Sequence, residues 1–181
     1  MVSKGHILLS EPYLGDNSFE RSVILLCENN EQGAFGFILN KPTILTLEAV
    51  LAGVDDFDEM LYMGGPVGQD SLHFIYRNNF PLEGSVEVMD NLYWGGDYEQ
   101  LKYLINTKQL NTADIRFFLG YSGWGEGQLD EELEENAWIV AEANSGDIFD
   151  TTPGDMWRFM LQKKGGKYKM MSNYPIDPRL N

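Results

Sequence analysis

The stretch that most constrains this chain is residues 120–129, Gly120-Tyr121-Ser122-Gly123-Trp124-Gly125-Glu126-Gly127-Gln128-Leu129. Four of its ten residues are glycine, an apolar run from Ile115 to Leu119 leads in, and an acidic run leads out. Glycine adopts backbone conformations closed to other residues and lets a second segment approach closely. Tyr121 and Trp124 each join a large apolar body to a polar tip. The pattern predicts a tight connection with exposed backbone amides, placed where a strand gives way to a helix.

Three chemistries fit such a connection. A nucleophile elbow needs its last glycine where this chain has Trp124, and a base at a late position. The two histidines, His6 and His73, do not supply that base. A phosphate cradle needs a Walker ending or a dinucleotide fingerprint, and the five acids between Asp130 and Glu135 oppose an anion. The third is a mixed pocket in which Tyr121 and Trp124 stack on a ligand and Gln128 bonds to it. Arg21 and Asn40 join this candidate set. Arg21 precedes one buried strand and Asn40 follows its hairpin partner, so both lie at the hairpin's open end. Such a pair either binds a carboxylate or phosphate or ties down loops through backbone carbonyls, and the second reading is favoured. The candidate ligand-binding residues are therefore Arg21, Asn40, Tyr121, Trp124 and Gln128. No catalytic set, cofactor motif or metal cluster is expected.

Acids outnumber Lys and Arg by 28 to 13, giving a formal charge of −15. That balance disfavours nucleic acid and anionic membrane as partners. The one basic concentration, Arg158, Lys163, Lys164, Lys167 and Lys169, lacks a recognition-helix pattern, and lysines suit a helix C-terminus. The single cysteine, Cys27, closes the apolar run Val23-Ile24-Leu25-Leu26. It reads as a buried thiol in a reducing cytoplasm. No signal-peptide pattern or membrane-length apolar run is present.

At 181 residues one domain spanning 1–181 is expected, burying roughly 70% of its unfolded surface. Strands are expected at 6–10, 22–27, 34–39, 60–63, 72–76, 86–88, 115–119 and 137–141. A turn covers 11–17, and Gly33 and Gly36 mark a special turn and a bulge or close backbone contact. Thr46 caps a short helix over 47–51. Asp97 with Gln100 starts an amphipathic helix running to about Thr107. Residues 130–135 are helical. Thr152-Pro153-Gly154-Asp155 starts a helix that ends at Gly165-Gly166, and an irregular tail runs through Pro178. The elements do not alternate strictly, so the fold class is α+β rather than doubly wound.

Four blocks stand out along the chain: Gly5-His6-Ile7-Leu8-Leu9-Ser10-Glu11-Pro12 with Asp16, Phe19, Arg21-Ser22-Val23 and Leu26-Cys27-Glu28; Gly33-Ala34-Phe35-Gly36 with Leu39-Asn40-Lys41-Pro42; Gly64-Gly65-Pro66-Val67; and residues 120–129 with Glu132 and Trp138. In these blocks and their order the chain resembles the AlgH/YqgE family of bacterial proteins. The resemblance implies a bifurcated, barrel-like mixed sheet flanked by short helices in a cytosolic protein. It carries no established catalytic residues. Members linked to alginate gene control give the family a transcriptional-regulator label, which implies an indirect regulator acting through a protein or small-molecule partner. The alternative is a ligand-binding protein or unfamiliar enzyme with a pocket around Gly120 to Leu129. This chain departs from the usual pattern at Ser122, where members carry Ala, and at Ile75-Tyr76-Arg77, where a His is common. Beyond Gly166 the match is poor.

Overall fold

A strand can be apolar at every position only when both of its faces are covered. A computed structural model of the chain describes residues 2–15 and 18–176, and in it the run 23–27 is covered on both sides. Val23, Leu25 and Cys27 pack with Met156, Trp157, Met160 and Leu161. Ile24 and Leu26 turn the other way and pack with Trp124, Leu129 and Trp138. The alternation of side chains along a strand thus feeds two separate cores. A third core gathers Phe74, Tyr76, Leu101, Ile105 and Phe117.

Among the described residues the strands are β1 (Ile7–Ser10), β2 (Val23–Asn30), β3 (Gly33–Ile38), β4 (Pro42–Thr46), β5 (Met60–Met63), β6 (Val67–Arg77), β7 (Val86–Met89), β8 (Leu92–Trp94), β9 (Ile115–Trp124) and β10 (Trp138–Ala141). The helices are α1 (Tyr98–Asn106), α2 (Gln128–Glu134), α3 (Ser145–Phe149), α4 (Pro153–Lys164) and α5 (Lys167–Met171). The main sheet path runs β10-β1-β2-β3-β9-β6-β8-β7. The pairs are antiparallel except β5 with β9, so the fold is α+β with one parallel junction.

β9 is the pivot. Residues 115–119 pair with β6. On the opposite side Phe118 and Leu119 pair with β5, and Ser122 to Trp124 then pair with β3. The sheet therefore forks at β9, with β5 and β4 on the short branch. Its terminal strands β10 and β7 do not pair with each other. The sheet is open, and the barrel-like closure implied by the resemblance is not found.

The glycine stretch also differs from its sequence reading. Gly120 to Trp124 continue β9 as strand, and the connection to α2 is confined to residues 125–127. Gly120 has φ +69°, and a Cβ there would lie 2.7 Å from the carbonyl oxygens of both Gly65 and Val67. The bend at Gly120 coincides with a large irregularity in β6, where Leu72 pairs with Leu119 but Val67 with Tyr121. Bulges of this kind re-aim a strand. They let one sequence segment serve two branches.

Other elements follow local chemistry. Asp97 accepts from the Gln100 amide at 2.8 Å and starts α1 as expected. Asn144 and Asp147 form a capping box for α3, an element the sequence reading lacked, as it lacked α5. Thr46 ends β4 instead of capping a helix, and only a 3-10 turn, Leu47–Ala49, follows it. The polar segment 28–30 extends β2, leaving Glu31 and Gln32 as the hairpin turn. Asp16 and Asn17 in the turn over 11–17, and the tail from 177 through Pro178, lie outside the described residues.

Candidate functional site

The fork leaves a cleft of about 610 Å³ beside β3 and β9. That volume is in the range of small-molecule sites. Phe35 and Phe37, two apart on β3, present their rings on the same face. His73 from β6, Trp94 from β8 and Tyr121 from β9 complete the ring wall, and Glu28, Asn30 and Gln32 form a polar edge. Phe35 stands at right angles to its neighbours: 4.9 Å and 81° to Trp94, 6.0 Å and 80° to Tyr121. His73 meets Tyr121 at 5.9 Å and 89°. The cross-strand partner of Phe35 is Gly123, which has no side chain to fill the space beside the ring.

The polar content of this cleft is unusual. Trp94 Nε1 and His73 Nε2 are buried nitrogens with no hydrogen-bond partner among the described residues. An unmade bond at a buried polar atom costs roughly 1–3 kcal/mol, and such atoms in a native fold call for an explanation. Burial lowers the pKa of His73, which favours the neutral ring. Glu28 is the sole charged residue on the cleft wall, and the Asn30 side-chain amide donates to it at 2.8 Å.

The structure separates the five residues expected to bind ligand. Tyr121 and Trp124 border the cleft. The Trp124 indole, however, packs with Trp138 at 5.9 Å and donates to Glu132 Oε2 at 2.8 Å. Trp138 donates to the same oxygen at 2.6 Å. Gln128 belongs to that node: its amide nitrogen donates to Glu132 Oε1 at 2.9 Å, and its oxygen accepts from the Gly125 amide at 3.0 Å. Asn40 accepts from the Val23 amide at 2.9 Å and donates to the Arg21 carbonyl at 2.8 Å. Arg21, at φ +48°, donates to the Tyr174 carbonyl and stacks 4.7 Å over Trp157. Arg21 and Asn40 do meet at the hairpin's open end, where their bonds run to backbone atoms and tie down the loop.

Nucleophilic readings meet physical obstacles. Ser122 is buried within β9 and donates to the Gly64 carbonyl at 3.1 Å. Cys27 is buried, and desolvation pushes its thiol far above the ordinary range, with Glu28 adding to the shift. Among the described residues no cluster of three or more His, Cys, Asp or Glu is placed to hold a metal ion. No described helix is long and apolar enough to cross a membrane. Phe35, His73, Trp94 and Glu28 were not among the expected site residues. A local signal exists only for Phe35, in the Phe35-Gly36-Phe37 alternation that sets two bulky rings on one face of a strand broken by glycine; His73, Trp94 and Glu28 reach the cleft through strand pairing.

The overall fold is shared with solved structures. A crystal structure of a Corynebacterium diphtheriae protein matches with a TM-score of 0.79 at 25% identity, over 96% of this chain and 93% of that one. The solution structure of AlgH from Pseudomonas aeruginosa matches with a TM-score of 0.75 at 27% identity, over 94% and 93%. The chain belongs to the AlgH-like family (DUF179), whose model matches residues 7–169. A UPF0301 protein of Cytophaga hutchinsonii is 57% identical over 100% of both chains. One from Chlorobium limicola is 46% identical over 98% of this chain and 95% of that one.

Proposed function

We propose that this AlgH-like chain works by binding rather than by catalysis, with the ring-lined cleft between β3, β6, β8 and β9 as its small-molecule site. The observation that carries this reading is a cleft of about 610 Å³ in which rings from four strands meet a polar edge of Glu28, Asn30 and Gln32. The rings supply apolar contact and the polar edge supplies orientation, the usual division of labour in a ligand pocket. A regulatory role of the kind the family label implies would pass through that complex, in the cytoplasm, by altering a partner's access to the cleft. Direct contact with nucleic acid has no part in the reading, because the formal charge is −15. An unfamiliar enzyme is the less favoured alternative, given the burial of Ser122 and Cys27.

A metabolite library screened by thermal shift, with hits mapped by amide and indole NMR, tests the proposal. A ligand at ~100 times its Kd stabilises the fold by about 2.7 kcal/mol. At least one compound is expected to raise Tm while shifting Phe35, Trp94 and Tyr121, with the effect lost in Phe35→Ala. Hits that map elsewhere, or turnover of a hit compound, overturn it.

A further inference from the structure

We infer that the cleft selects a small organic cation whose charged end is an alkylated ammonium. The inference rests on the binding reading above and adds the ligand's chemistry. Six ring residues line the cleft: Phe35, His73, Trp94 and Tyr121, with Trp124 at its border and Phe37 at its floor, stacked on Phe118. Their mutual angles near 80–90° at 4.9–6.0 Å for Phe35 with Trp94 and Tyr121, and for His73 with Tyr121, set the walls like the sides of a box. Ring faces carry partial negative charge and attract cations, most strongly Trp and Tyr. The one charged group on the wall is an anion, Glu28, already oriented by Asn30. His73 is kept neutral by burial and so does not repel a positive ligand.

Other charge classes fit this wall poorly. An anion would meet Glu28 with no Lys or Arg on the cleft wall to offset it. A metal ion would find a single carboxylate. A bare ammonium or guanidinium would leave most of its N–H groups facing rings, and uncompensated donors of this kind are costly. A fully alkylated, quaternary ammonium has no N–H to satisfy and presents an apolar shell with a diffuse charge, which suits aromatic walls.

The test compares choline with its uncharged isostere 3,3-dimethyl-1-butanol, titrated into the intact protein and followed by the Trp94 indole resonance assigned through Trp94→Phe. Choline is expected to bind about tenfold more tightly than the neutral alcohol, the scale set by cation–π attraction in a partly desolvated site. Glu28→Gln and added salt should each weaken choline by a few-fold and leave the alcohol unchanged. Equal or tighter binding of the alcohol overturns the cation inference while supporting a binding cleft. If neither compound perturbs the cleft but a neutral or anionic library compound does, the cation inference alone fails. If no compound of any class perturbs it, both readings fail.

Discussion

Two indole sites lie close together on this fold and are built in opposite ways. Around Glu132, the Trp124 and Trp138 N–H groups share one carboxylate oxygen while Gln128 takes the other. Around the cleft, the Trp94 N–H and His73 Nε2 are buried with no partner among the described residues. The first arrangement converts polar atoms into architecture: it pins α2 and β10 to the end of β9. The second leaves a local cost of roughly 1–3 kcal/mol per atom uncompensated, which the rest of the fold must offset. The contrast separates the conspicuous glycine-Trp stretch, whose indole is structural, from the less conspicuous rings that wall an open space.

The largest expected effect breaks the satisfied side. Glu132→Ala removes three charge-assisted bonds and leaves two indole donors and the Gln128 amide without their acceptor, which should cost about 2–4 kcal/mol. For a chain of this length that lowers Tm by about 5–15 °C. Calorimetry or urea melts measure it, and a loss below ~1 kcal/mol would mean that solvent replaces the carboxylate freely.

A smaller effect sharpens the comparison by making one substitution at both sites. Trp124→Phe loses packing and also strips Glu132 of a donor, so it should destabilise by about 2–3 kcal/mol. Trp94→Phe loses similar ring area but removes an unsatisfied N–H, and the two terms nearly cancel, leaving a change within about 1 kcal/mol of zero. Equal losses at the two positions would show that Trp94 Nε1 is already bonded, for instance to ordered water.

Much of this fold was legible because its signals are local. The run 23–27 reads as a doubly covered strand, and Asp97 with Gln100 reads as a cap; both elements formed where their chemistry predicts. The fork was not legible from the residues themselves. Gly120 reads as the start of a loop unless one knows that Gly65 approaches it, and a Cβ on Gly65 would lie 2.2 Å from the Tyr121 carbonyl carbon. That error propagates into the site. In a loop, Tyr121 and Trp124 can converge on one ligand. In a strand, residues an odd number apart face opposite sides, so Tyr121 joins the cleft wall while the Trp124 ring joins the core beneath α2. Phe35, His73 and Trp94 come from three strands far apart in sequence, and only pairing across β9 brings them together.

The smallest effect concerns pH, and it tests whether His73 is tuned for the cleft. Burial lowers the His73 pKa from its ordinary value of 6.5. Above pH 6.5 both folded and unfolded chains hold the ring neutral, and its contribution to stability is fully present. Below it the unfolded chain binds a proton that the folded chain resists, so stability falls as pH drops toward the depressed folded value. Urea melts between about pH 7.5 and 5.5 should therefore show a decline that His73→Phe reduces. Choline binding should weaken over the lower part of the same range, since a protonated His73 places like charge beside the ligand. Stability that falls equally in both proteins would put the titration on other groups. Choline affinity that holds steady while His73 protonates would place the cation beyond the imidazole, nearer Glu28 and Phe35.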